Sequence, residues 1–452
     1  MKDSSTVRMT DGSLWRNIFI FSIPLMCSNL LQVLFNMSDI AVVGQFAGKE
    51  ALGAVGSCAT AVSLFTGLLI GMGGGINAIA ARYEGAGDRL RIGKTVHSSL
   101  PISLIFGFSI MALGLLLIDK LLIMLNTKDE LLADAILYMR VYLLGTPALA
   151  VYNFGSGILS AAGDSKRPLY YLFAAGIVNI VLNLFFVIVC NLSVLGVALA
   201  SAISQYLSAL LILRRLFTCG TEYALSLREM RIDGVITKTV LMLGLPTALQ
   251  NAIFAVANLF IQAAVNSFDT LMVEGNSAAA NADALIYDMM AAFYVACTTF
   301  MGQNLGAGKK DRVMKSYKIS VVYSFLIAFV SGVLLFFCGR PFLMLFSRDA
   351  DVIDAGMKRL TIMAFSYCIS AFMDCTIAAS RGLGKTVVPT IIVVSGSCIF
   401  RIVWVYTIFA YFHTIPSLYL LYVCSWTLTA IFEVLYFRHA FKKQFASGPR
   451  PA

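Results

Sequence analysis

The sequence predicts an all-α integral membrane protein: twelve transmembrane helices in two parallel six-helix repeats. Three observations predict it. Of 452 residues, 59% are hydrophobic and only 13% are charged, whereas soluble domains carry about 25% charge. The apolar residues gather into twelve runs long enough to cross a bilayer. Landmarks in the first half of the chain return in the second half at an offset of 221–222 residues.

The runs fall at roughly 15–45, 51–81, 95–118, 131–161, 168–190, 193–216, 237–266, 277–303, 316–338, 353–380, 388–411 and 417–439. The first is too long for a signal-peptide core and lacks a small-x-small cleavage pattern, so it is read as retained. The longest polar stretch, 217–236, reads as a cytoplasmic linker. It separates a first six-helix lobe, 1–216, from a second, 237–452, which ends in a cytoplasmic tail.

Four landmarks carry the repeat. Ser22-Ile-Pro24-Leu answers Gly244-Leu-Pro246-Thr, and Glu84-Gly-Ala-Gly-Asp88 answers Leu305-Gly-Ala-Gly-Lys309. Leu122-Ile-Met-Leu-Asn126 answers Leu343-Met-Leu-Phe-Ser347 in part, and Ala162-Gly-Asp-Ser-Lys-Arg-Pro168 answers Leu383-Gly-Lys-Thr-Val-Val-Pro389. Six helices per half is an even number, so the halves are parallel repeats, an arrangement that places substrate at their interface.

The net charge of +10 is a matter of topology. Of 34 Lys and Arg, 25 stand in residues 2–16, 82–94, 166–167, 214–238, 309–318, 381–385 and 438–450, the two ends and alternate inter-helix segments. The positive-inside rule puts both ends in the cytoplasm of a multi-pass protein of the cell (inner) membrane. A nucleic-acid patch is excluded by this placement. Ten cysteines scattered without a C-x-x-C pair read as small hydrophobes, not as a disulfide or metal framework. Gly384-Lys385-Thr386 is no nucleotide loop, because Ala379 stands where the first Walker glycine would be, so no ATP is expected.

The residues that stand out are polar groups at bilayer depth. Asp39 lies in the first helix, where an isolated charge costs about 3 kcal/mol or more. Asn179 and Asn183 share one face of the fifth helix at i and i+4. Ser201 of the sixth stands where a hydroxyl can join them. One carboxylate and amide oxygens suit a proton or a hard cation such as Na⁺ at Asp39, Asn179 and Asn183; the alternative is that the Asn pair joins helices by hydrogen bonds. The second half lacks this set, with Ile261 and Phe400 at the positions of Asp39 and Asn179. It carries Asp283, Asp288, Asp374 (the counterpart of Asn153) and Arg401. A buried Arg401 calls for an anion, with Asp374 or Asp288 as candidates by depth, as a fixed pair or as a charge relay facing substrate. Phe35, Tyr152, Phe154, Tyr287 and Phe293 are candidate cavity aromatics. Three peripheral histidines and no H-E-x-x-H motif speak against an enzyme.

Asn36-Met-Ser-Asp39 with Val42-Val-Gly44, Gly85-Ala-Gly-Asp88, Asn179-Ile-Val-Leu-Asn183, Gly302-Gln-Asn-Leu-Gly-Ala-Gly308 and Arg381-Gly-Leu-Gly384 together resemble the multidrug and toxic compound extrusion (MATE) transporters, in their bacterial branch. The resemblance covers residues 13–440. It implies a secondary antiporter with a V-shaped central cavity, exporting mainly cationic amphipathic organic compounds against Na⁺ or H⁺ by alternating access. It also implies a cation site on an acid of the first helix and polar residues of the fifth. Asp39 and Asn179 match; Asn183 departs, since family members often carry Asp there, which weakens Na⁺ binding and leaves the ion open. The family's seventh-helix acid is absent from Asn251-Ala-Ile-Phe254. The expected partners are small organic cations and membrane lipids, with no cofactor beyond the coupling ion, and the chain is read as a monomer. The alternatives are a lipid-linked-oligosaccharide flippase or a specific metabolite exporter.

Overall fold

A computed structural model describes residues 6–125 and 127–446. Asn126 of the third landmark, and Lys2 and Arg450 of the charge pattern, lie outside them. Every regular element among the described residues is helical. The membrane-length helices are α1 (Leu14–Ala47), α2 (Lys49–Ala86), α3 (Arg89–Met124), α5 (Lys166–Val189), α6 (Ser193–Thr218), α7 (Gly234–Val265), α8 (Thr270–Gly306), α9 (Lys310–Leu343), α10 (Ala350–Gly382), α11 (Val387–Phe412) and α12 (Ile415–Ala446). α4 is a pair, Asp129–Leu144 and Thr146–Ala161, bent by 45°. The bend falls at Gly145, whose missing Cβ makes room for the Gln205 side chain, and Pro147 then opens the second segment in the first helical turn, where it is tolerated. Counted with that pair as one span, the membrane-length helices among the described residues number twelve.

Local chemistry sets the helix ends. Asp88 accepts from the backbone N–H of Arg91 to open α3, Asp269 from Met272 to open α8, and Asp349 from Asp351 to open α10, each satisfying a donor the helix cannot pair internally. Gly87 and Gly308 both sit in the left-handed region, at φ 68° and 70°, and Gly163 and Gly384 do so at 88° and 75°. Glycine takes this conformation without steric cost. The sequence repeat is therefore also a repeat of backbone turns.

The chain forms two compact units. The first holds Cys27–Ala252 and the segment ending at Val7; the second holds Arg8–Met26 and the chain from Ile253 onward. In the first unit, α2 approaches α7 so closely that a Cβ on Gly71 or Gly75 would fall on the backbone of Ala248 or Gly244. Small residues at helix contacts of this kind are how membrane helices gain van der Waals contact where water gives no drive. The 217–233 segment is seated on the ends of α2 and α3: Tyr223 donates to Glu84 at 2.7 Å, and His97 Nε2 accepts from the Ser226 N–H at 3.0 Å. Asp233 caps α7, and the N–H groups of Ile236 and Val235 hold its carboxyl below the ordinary range. In the second unit, α8, α10 and α12 form the centre, and large apolar side chains such as Leu334 and Phe337 face outward, as they do on a surface solvated by lipid tails.

Candidate functional site

In the first unit α1, α5 and α6 bring Asp39, Asn179, Asn183 and Ser201 together, all four buried. Asn183 Nδ2 donates to Asp39 Oδ1 and also, at 3.3 Å, to Asn179 Oδ1. Ser201 donates to Asp39 Oδ2 at 3.2 Å, and Asn179 Nδ2 lies 3.5 Å from the Ser201 oxygen. The one-face spacing of the Asn pair is thus realised, and Ser201 closes the ring. Asn183 Oδ1 is left buried with no hydrogen-bond partner among the described residues. Such an orphaned oxygen costs free energy unless something binds it. The cluster holds five hard oxygen donors and a single formal charge, a composition that fits a monovalent hard cation or a proton.

Local backbone adds a feature that no sequence pattern announced. α1 becomes a π-helix over Val43–Ala47, and α5 over Phe185–Val189. Each π-turn begins within a turn of its site residue. Wide turns of this kind often mark functional positions, and their looser hydrogen bonding lets a helix reshape locally. Phe35, one turn before Asp39, lies against Gly176 of α5, where a Cβ would overlap its ring.

In the second unit the acids separate into different environments. Asp283 is buried and is held by Arg359, whose Nε donates to it at 2.9 Å. Arg359 also donates to Asn276, which accepts from Tyr419 at 2.7 Å. Arg359 falls within the apolar run 353–380, and α10 carries it into the interior at 8% exposure. Asp374 is half-buried and accepts from Ser370 at 2.6 Å. Asp288 is half-buried on α8. Asn153, in the first unit, spends its amide on the Leu149 carbonyl at 2.9 Å and packs against Gly73.

Arg401 corrects an expectation. It is buried, yet among the described residues no carboxylate lies within ion-pair distance of it, neither Asp374 nor Asp288. Its guanidinium is enclosed by the rings of Tyr422, Phe254 and Trp426, at 4.7, 5.6 and 5.8 Å, and its Nε donates to Ser425 at 3.2 Å. The negative faces of three rings take the place of the anion. Two of the candidate cavity aromatics are also core: Tyr152 and Phe154 pack inside the first unit. Phe293 is buried and stacks on Tyr323, whereas Tyr287 is exposed and Phe35 half-exposed.

Sequence reasoning missed Glu433. It lies on α12 at 0% exposure, and among the described residues neither carboxylate oxygen has a hydrogen-bond partner. The signal was available, because Glu433 is an acid within the apolar run 417–439, as Asp39 is within 15–45.

Comparisons with known proteins agree with this architecture. The MatE family model matches the chain twice, over residues 24–185 and 246–407, a displacement of 222 residues. The "Probable multidrug resistance protein YpnP" of Bacillus subtilis is 27% identical over 366 residues, 79% of this chain and 80% of that protein. The "FAD transporter" of Shewanella oneidensis is 24% identical over 351 residues, 75% of this chain and 76% of that protein. A solved structure described as the "Outward-facing conformation of a multidrug resistance MATE family transporter of the MOP superfamily" superimposes with a TM-score of 0.91 at 24% identity, covering 98% of this chain and all of the other. Matched over more than half its length in two tandem copies, the chain belongs to the MatE family, whose members are multi-pass membrane transporters of the multidrug efflux type and not enzymes.

Proposed function

We propose that this protein is a secondary exporter that moves amphipathic organic compounds, mainly cations, outward in exchange for Na⁺ or H⁺, with Asp39, Asn179, Asn183 and Ser201 as the coupling site. The observation that carries this reading is a buried carboxylate supported only by neutral donors, beside an amide oxygen without a partner. When Asp39 is ionised it attracts a cation; once the cation binds, the Asn183 and Ser201 donors turn away from it. The hydrogen bonds between α1, α5 and α6 are then rewired, and the π-turns that follow Asp39 and Asn183 let the two helices adjust. The ion biases one conformation only by binding it more tightly than the other, so ion and substrate compete by favouring opposite states. In the second unit, Asp288 and Asp374 offer counter-charge to a cationic substrate, while Asp283 is set apart by its ion pair and Arg401 by its enclosing rings. The working unit is a monomer in the cytoplasmic membrane with both ends inside; lipid surrounds it, and neither ATP nor nucleic acid takes part.

Efflux of a fluorescent organic cation from proteoliposomes, driven by a Na⁺ pulse or a pH pulse separately, tests this. Wild type should respond to at least one pulse, and Asp39→Asn should respond to neither while keeping its folded elution profile. Normal export by Asp39→Asn would remove Asp39 from coupling. A second reading, export of a specific metabolite or flipping of a lipid-linked oligosaccharide, draws support from the relative named as an FAD transporter; it moves ahead if neither pulse drives the wild type.

A further inference from the structure

Glu433 occupies an enclosed position in the second unit. On its own helix it lies between Ala430 and Phe437, both buried, while Ile431, Phe432 and Leu435 face outward at more than half exposure. The carboxyl group therefore points inward, toward α10, and not to lipid. The charges that bear on it are Arg381 and Asp374, both on α10. These two are seven residues apart, two helical turns along one face. Around them stand Tyr287 and Tyr294 of α8 and Cys375 of α10, with Arg401 of α11 bearing on Asp374 and Tyr436 on the same helix as Glu433.

Arg401 bears on Asp374 but not on Glu433. An ionised Glu433 would stand fully buried with neither oxygen hydrogen-bonded among the described residues, a costly state unless a proton is taken up. The two acids are not equivalent. Asp374 accepts a hydrogen bond from Ser370 at 2.6 Å, whereas both oxygens of Glu433 have no donor among the described residues. An ionised carboxylate wants several donors, and a neutral acid tolerates their absence far better.

We propose that Glu433 is a proton-binding site of the second unit, separate from the cation site at Asp39, and that it gives up its proton to water when the region around Arg381 opens. The ionised Glu433 then attracts the Arg381 guanidinium, so one proton sets the attraction between α12 and α10. This is a two-state element of the kind through which a bound ion biases a conformational equilibrium. The inference builds on the exporter reading but does not need Asp39 to bind a proton: Na⁺ at Asp39 and H⁺ at Glu433 can be exchanged by one molecule.

The test has two arms. Infrared difference spectra of the purified protein, taken between acid and alkaline solution, should show a buried protonated-carboxyl band that is absent in Glu433→Gln and present in Asp39→Asn. In proteoliposomes, export driven by a pH pulse should fall by about tenfold or more in Glu433→Gln, and Glu433→Asp, which keeps an acid, should recover most of it with a displaced band. A Glu433→Gln protein that keeps both the band and its pH-driven export overturns the proposal. So does equal loss of export in Glu433→Gln and Glu433→Asp with the band unchanged, because packing alone would then explain the residue. If no pulse drives the wild type, the exporter reading fails by itself, and the infrared arm still decides whether Glu433 carries the proton.

Discussion

Asp39 and Asp283 are both carboxylates at similar burial, yet their surroundings assign them different work. Asp283 is neutralised by Arg359, which is itself held by Asn276 and stacks at 5.2 Å on the ring of Tyr419. Removing one member of such a pair leaves the other charge buried alone. Asp283→Ala should therefore lower stability by about 3–5 kcal/mol, read as a fall in the thermal midpoint of the purified protein. Asp283→Ala combined with Arg359→Met should recover much of the loss, since a matched apolar pair is often as stable as a buried ion pair. A single variant with unchanged melting would mean that water reaches Arg359. Asp39 has no such partner, so Asp39→Asn should melt near the wild-type temperature. The sequence made Asp39 visible because one acid interrupts an apolar run. It concealed Arg359, because how deep a residue near a helix end sits is decided by packing among α8, α10 and α12. It also misassigned the partner of Arg401, since the rings that enclose it come from α7 and α12, far apart in the chain.

The helix is the scale at which site residues are positioned. α5 presents Asn179 and Asn183 because they are four residues apart, and the same face carries Gly176 one turn earlier. The ring of Phe35 fills the space that Gly176 leaves open, which lets α1 approach α5 and sets the height of Asp39 relative to the amides. Gly176→Ala must push Phe35 aside, and overpacking of this sort costs about 1–3 kcal/mol. The expected result is weaker coupling: a higher ion concentration for half-maximal export, with substrate binding to the purified protein little changed. Gly176→Ala with Phe35→Leu should restore the ion dependence, because the smaller side chain returns the space. If the double variant is no better than the single, the α1–α5 contact does not set the site. None of the π-turns was legible beforehand. They require an extra residue per turn, and the apolar stretches Val43–Ala47 and Phe185–Val189 read equally well as plain helix.

Over the whole chain, charge placement and the repeat make one joint statement about topology. Six spans per half return each residue's counterpart to the same side of the membrane. Leu90 and Asp311 are counterparts in the cluster-rich segments, and Met124 and Leu345 are counterparts in the opposite ones. Leu90, Met124 and Leu345 are all strongly exposed, so each accepts a reporter cysteine without disturbing the core. In a protein freed of its exposed native thiols Cys27, Cys190 and Cys338, a membrane-impermeant reagent should label Met124→Cys and Leu345→Cys in intact cells. Leu90→Cys should react only in inverted vesicles, because the basic segment around it resists translocation. Labelling of Met124→Cys and Leu345→Cys from opposite sides would mean that the halves are inverted and would end the parallel-repeat description. Labelling of all three from the reversed sides would keep the repeat but turn the molecule over, and inward Na⁺ or H⁺ would then meet Asp39 from the wrong end of α1.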